Sequence, residues 1–213
     1  RHPLGGPGLP LEPAPEPGPE PVTYDHYVAL GDSFAAMGSR SATTTGPFEC
    51  FRSVDNYPSL VLADDRVTAG EDVTCSSAVT ADIPGQAAAL TPDTDLVTLS
   101  IGGNDIRFGE IVGCFHRALT EPLDCPTLLD APVSEQLSTV PGKLDEIHTL
   151  IAETSPGARV IVTGYLPLVA TGECPQLATI PEEHRAWAVS LTDRINDVVR
   201  EAAERHGAEF VLP

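Results

Sequence analysis

The feature that most constrains this chain is a set of short, nearly unbroken apolar runs, each stopping abruptly at a glycine-containing turn. Tyr27-Val28-Ala29-Leu30 stops at Gly31-Asp32-Ser33, and Leu96-Val97-Thr98-Leu99-Ser100-Ile101 stops at Gly102-Gly103-Asn104-Asp105. Val160-Ile161-Val162-Thr163 stops at Gly164-Tyr165, Phe210-Val211-Leu212 begins a fourth run, and Glu71 to Cys75 is a weaker candidate for one more. Strands that are apolar at consecutive rather than alternate positions are those with both faces of the sheet covered, as in parallel α/β architecture. Helical stripes separate the runs. Trp187, Leu191, Ile195, Val198 and Ala202 lie on one helix face with Gly207 as its C-cap, and Leu137, Val140, Leu144, Ile147 and Ile151 form a similar stripe that Pro141 must kink or begin. Asn56-Tyr57-Pro58 opens a shorter helix through Ala63. Strands alternating with helices imply right-handed βαβ crossovers, and so a three-layer α/β/α sandwich.

The 213 residues suit one domain preceded by a spacer. Arg1 to Pro21 holds eight prolines and four glycines, which favours extended backbone without a core. Residues 1–22 are therefore expected to be a disordered proline-rich spacer, and 23–213 the folded domain. A ligand for a proline-binding module is the lesser reading of the first segment. The 31 acidic against 12 basic residues, a formal net charge of −19, argue against nucleic acid and anionic membranes as partners. Five cysteines without a C-x-x-C pair, and without histidines at zinc-finger spacing, argue against a metal site and suit an exported protein with disulfides.

In open parallel sheets ligands bind at the carboxyl ends of the strands, so the residues closing the apolar runs are the ones to examine. Ser33 would stand at the start of a turn or helix where backbone N–H groups point outward, and Asn104 could aim an amide into the same crevice. A hydroxyl beside convergent donors is what acyl transfer requires. Either motif alone is ordinarily only a turn, because Asp, Ser and Asn bond their own backbone. Together, each closing an apolar strand in order, they point to catalysis.

The run from Tyr27 to Phe34, followed by Thr98 to Asp105, resembles the SGNH (GDSL) hydrolase superfamily, and more narrowly its secreted actinobacterial lipases and esterases. The resemblance extends from about Asp25 to the end of the chain. It implies a flavodoxin-like, five-stranded parallel sheet and hydrolysis of carboxylic esters, including lipid and possible phospholipid esters, with no cofactor. On that basis Ser33 matches the nucleophile and Asn104 the side-chain oxyanion donor. The backbone N–H completing the oxyanion hole, beside that of Ser33, falls at Ser77 in Cys75-Ser76-Ser77-Ala78, where family members often carry glycine; Ser76 is the neighbouring alternative. A serine can supply an N–H there, with strain if the conformation is one that glycine favours.

Two features depart from the family pattern. The family's histidine base comes from a segment beyond the fifth strand, and none of the six histidines fits that role well; His116 is the one in-chain substitute worth weighing. Pairing of Cys50 with Cys75 would brace the oxyanion wall, and Cys114 with Cys125 would close a short loop, leaving Cys174 unpaired. In the resembling lipases a third bridge ties that loop to the segment beyond the fifth strand. The expectation is a chain lacking its C-terminal segment, poorly active by itself, with apolar surface uncovered around Tyr27–Leu30 and Phe210–Leu212. The remaining expectations are a secreted monomer without a membrane anchor, acting on a small-molecule or lipid ester. The competing readings are a non-catalytic binding module on the same fold, a classical α/β-hydrolase and a nucleotide-binding fold. The α/β-hydrolase is disfavoured because Ser33 follows the first strand, and the nucleotide-binding fold because G-x-G-x-x-G is lacking.

Overall fold

Five strands carry the architecture, and the computed structural model describes them within residues 21–170 and 172–213. Most of the expected spacer lies outside the described residues. In chain order the elements are β1 (Tyr24–Gly31), α1 (Ser33–Ala36), β2 (Thr44–Thr45), β3 (Arg52–Ser53), α2 (Tyr57–Leu62), β4 (Val67–Asp72), α3 (Ile83–Gln86) and β5 (Leu96–Ser100). There follow α4 (Phe108–Ala118), α5 (Cys125–Leu137), α6 (Val140–Thr154), β6 (Arg159–Thr163), α7 (Glu182–Arg205) and β7 (Glu209–Val211). The main sheet runs β4-β1-β5-β6-β7, and every pairing in it is parallel. That is the flavodoxin-like order, with the reversal between β1 and β5 that opens a crevice at the carboxyl ends. The antiparallel pair β2–β3 lies in an excursion between α1 and α2.

The two faces of the sheet are covered unequally. Val28, Leu30, Val97, Leu99 and Val162 turn to one side and share a large core with Ile111, Leu144, Ile151, Leu191, Ile195 and Val199 from the long helices. On the other side Tyr27, Ala29 and Leu96 form a small core against Val61 and Leu62 at the end of α2. The expectation that Tyr27–Leu30 would lose its cover is corrected here. These four residues are fully buried, because β1 lies between β4 and β5 and α2 packs on its second face. Of the two stretches expected to be uncovered, only the second is open, with Val211 and Leu212 exposed at 42% and 60% at the sheet edge.

Two other expectations shift. The strand foreseen at Glu71–Cys75 is Val67–Asp72, an edge strand whose partly exposed positions weaken any apolar signal. The stripe from Leu137 to Ile151 belongs to two helices: Leu137 ends α5, and Pro141 sits in the first turn of α6, where its missing N–H costs nothing. The short helix foreseen from Asn56-Tyr57-Pro58 is α2, and Asn56 caps it, accepting from Ser59 N–H at 2.9 Å. Gly207, at φ +72°, follows the last turn of α7.

Candidate active site

Ser33, Ser76, Ser77 and Asn104, foreseen in the sequence, lie on three segments at the carboxyl end of the sheet. The first joins β1 to α1. Gly31 has φ +148°, and a Cβ there would stand 2.5 Å from the Ser100 carbonyl oxygen, so only glycine lets β1 and β5 approach this closely. Asp32 then caps α1, its Oδ1 accepting from Phe34 N–H at 2.9 Å, and half-buried Ser33 begins the helix. The second loop follows β4 and holds Ser76 and Ser77, the latter exposed with φ +69°. This is the left-handed conformation that glycine favours, carried here by a serine. The third loop follows β5 and holds half-buried Asn104.

Long-range hydrogen bonds stitch these loops together. Asp32 N–H donates to Ser100 O at 2.8 Å and Cys75 N–H to Gly31 O at 2.9 Å, so the first loop is tied to both neighbours. Gln86 grips Gly31 from α3, accepting from its N–H at 2.7 Å and donating to its carbonyl at 3.0 Å. Asn104 Nδ2 donates to Ala78 O at 2.9 Å, which fixes the amide plane and ties the third loop to the second. Beside it Asp105 accepts from the Thr80 N–H and hydroxyl, and Lys143 lies 3.2 Å away. Among the described residues the amide N–H groups of Ser33 and Ser77 find no acceptor.

A disulfide between Cys50 and Cys75 anchors the second loop to the β2–β3 excursion, and Ser76 N–H donates to Cys50 O at 3.0 Å. Cys114–Cys125 joins α4 to α5, and Cys174 is free. A cleft of about 810 Å³ opens beside the second loop, with Ser76, Ser77, Ala78, Val73, Gln86 and Ala89 among its walls.

Beneath the loops lies a group that sequence reasoning did not single out. Tyr165, which follows β6, is buried, and its hydroxyl donates to Asp32 Oδ2 at 2.6 Å while accepting from Gly103 N–H at 2.9 Å. Burial pushes the Asp32 carboxyl up to about 7; the hydrogen bonds from Tyr165 and Phe34 oppose that rise, and the charge of Asp105 adds to it. Burial and the neighbouring Asp32 likewise hold the Tyr165 phenol well above its ordinary range. The one signal in sequence was the break of an apolar strand at Gly164-Tyr165.

The described histidines are engaged elsewhere. His26 bonds Thr94 Oγ1 at 2.8 Å, ahead of β5, and His206 bonds Asp145 at 3.0 Å and stacks on His148 beyond the opposite end of the sheet. His184 lies 3.7 Å from Asp124. His116 is in the last turn of α4, which places it roughly 12 Å along the helix from Phe108 beside the third loop. Among the described residues no cluster of histidine, cysteine and carboxylate side chains could hold a metal, and no helix is long and apolar enough to cross a membrane.

Comparison with known proteins agrees with this geometry. Residues 29–213 match the model of the GDSL-like Lipase/Acylhydrolase family. Lipase 1 of Streptomyces coelicolor is 32% identical over 194 residues, covering 90% of this chain and 70% of that protein. Among solved structures, the phospholipase A1 of Streptomyces albidoflavus NA297 superimposes with a TM-score of 0.78 at 31% identity, over 88% of this chain and 79% of that one. The extracellular lipase of Streptomyces rimosus does so with a TM-score of 0.77 at 28% identity, over 88% and 80%. With the sheet order and both glycine-closed strand ends in agreement, the chain belongs to the GDSL-like lipase/acylhydrolase family and is a carboxylic ester hydrolase of the SGNH type.

Proposed function

We propose that ester hydrolysis here proceeds through an acyl-enzyme on Ser33. The observation that carries this reading is the placement of Ser33 at the first turn of α1, beside two loops whose donors are oriented and whose amides are free. Ser33 Oγ attacks the ester carbonyl and gives up its proton to a general base; the carbonyl oxygen becomes an oxyanion held by the N–H groups of Ser33 and Ser77 and by Asn104 Nδ2. Collapse of that intermediate expels the alcohol, which takes a proton, and water then cleaves the acyl-enzyme by the same route to release the acid. The base is assigned to none of the described histidines, given where they lie. Each oxyanion donor is expected to contribute a factor of about 10²–10³.

Similarity to the phospholipase A1 and to the extracellular lipase brings long-chain lipid esters, phospholipids among them, into the proposed substrate class. Two disulfides and the extracellular relative support action outside the cell. The test compares hydrolysis of a p-nitrophenyl ester and of phosphatidylcholine by purified protein and by Ser33→Ala. Loss of about 10⁴-fold or more on both substrates, with an unchanged melting temperature, is expected. Equal rates would reject Ser33 as nucleophile, and hydrolysis of the first ester alone would reject the phospholipid assignment.

A further inference from the structure

We propose that Tyr165 is a positioning residue for this reaction, a single phenol that sets the Ser33 turn against the Asn104 loop. The inference rests on the reading of Ser33 and Asn104 given above, and it concerns a residue that touches neither.

Three observations carry it. First, the Tyr165 hydroxyl makes both of its hydrogen bonds to the site's supports: it donates to the carboxyl of Asp32, the residue before Ser33, and accepts from the N–H of Gly103, the residue before Asn104. A shift of either loop would break one of two bonds in a dry core, where an unpaired polar group is costly. Second, the ring wedges between two aromatic residues that follow the functional groups in the chain. Phe34, directly after Ser33, meets it edge-on at 4.7 Å, and Phe108, at the start of α4, does so at 5.0 Å. Gly103 has no side chain, and a Cβ there would come within 2.7 Å of the Phe108 ring and 3.0 Å of the Tyr165 ring. Third, Tyr165 is itself held from outside the site. Buried Asn196, in the middle of α7, accepts from Tyr165 N–H at 2.7 Å and donates to its carbonyl at 2.9 Å. The phenol is thereby referenced to the longest helix of the domain, and two loops from non-consecutive segments take their spacing from it. Supporting groups of this kind keep catalytic atoms within fractions of an ångström of productive geometry, and misplacement by about 1 Å can cost roughly 10²-fold.

The test uses Tyr165→Phe in the purified protein, which keeps the ring between Phe34 and Phe108 and deletes only the hydroxyl. The expected result is a 10- to 100-fold fall in kcat on a p-nitrophenyl ester, with KM within about twofold of wild type and a matching fall in the rate of Ser33 phosphonylation by a fluorophosphonate. A folded variant with wild-type kcat overturns the proposal, as does one in which KM alone changes. If Tyr165→Phe does not fold, Asn196→Ser becomes the deciding variant, since it frees the Tyr165 backbone and leaves the phenol in place; the same split of kcat from KM is expected. Failure of both to fold would make the residue one of stability alone and would also overturn it. Wild-type protein that is not phosphonylated at Ser33 would instead overturn the underlying reading, so the two failures are distinguishable.

Discussion

At the carboxyl end of the sheet a carboxyl, Asp32, is buried and accepts from Tyr165 and Phe34; at the amino end an imidazole is buried, His148 of α6, stacked on His206 at 5.1 Å and faced by Asp145 and Arg205. Desolvation drives both toward their neutral forms, but one is an acid and the other a base. Asp32 rises to about 7, while His148 is pushed down to about 4 by burial first and then by the neighbouring His206, with Asp145 opposing. The comparison teaches what each end is for. The carboxyl end buries an acid that caps the turn into α1 and meets Tyr165 beneath it, so the loops there are tied together through the bonds it makes. The amino end buries an imidazole between two helices with no comparable lattice around it.

The largest expected effect is on activity. Asn104→Ala should lower kcat by about 10²–10³-fold, because it removes the proposed oxyanion donor and the bond that ties its loop to Ala78. His148→Gln, at the other end, should leave kcat within about twofold; ester hydrolysis assays on the two variants check the contrast. A smaller effect separates two glycines. Gly31→Ala forces a side chain against the Ser100 carbonyl at positive φ and should cost about 3 kcal/mol, whereas Gly157, between α6 and β6, has open space around it and its alanine variant should stay within about 0.5 kcal/mol. Urea denaturation measures both.

The pH dependence sharpens the comparison further. The folded His148 pKa lies below the ordinary value of 6.5, so unfolded chains bind more protons between pH 6.5 and 4, and this group's contribution is lost as pH falls through that window. The folded Asp32 pKa lies above its ordinary 3.8, so its contribution is full below that pH and is lost as pH rises toward 7. Each is worth about 3–4 kcal/mol, and in wild type they oppose each other. Melting curves across pH 4–7 should therefore be nearly flat in these two terms. His148→Gln should tilt them toward greater stability in acid, and Asp32→Asn the other way; parallel curves for the two variants would contradict this.

What was legible in sequence follows the range of the interactions. Gly31-Asp32-Ser33 and Gly102-Gly103-Asn104-Asp105 could be read because strand ends, caps and turns are local, and the fully buried strands before them left unbroken apolar runs. Of the two readings of Pro141, as a kink or as a beginning, the second holds: the stripe from Leu137 to Ile151 runs across two successive helices that continue one periodicity, and Pro141 marks the start of the second. The edge strand β4 was misplaced because half of its residues face water. Tyr165 shows in sequence only as the end of an apolar strand, and its role does not: its partner Asp32 is 133 residues away, and neither local pattern nor spacing encodes a contact of that span. The strain at Ser77 was foreseen as a possibility from the glycine expected there, and the backbone adopts it at φ +69°.

The central claim is that the Ser33 hydroxyl is the nucleophile among donors from three loops. Incubation of purified protein with a fluorophosphonate, followed by intact mass and peptide mapping, tests it most directly. The account predicts one phosphonyl adduct per chain, on Ser33, with loss of ester hydrolysis in step. An adduct on another residue, or an unmodified chain that still hydrolyses esters, would contradict it.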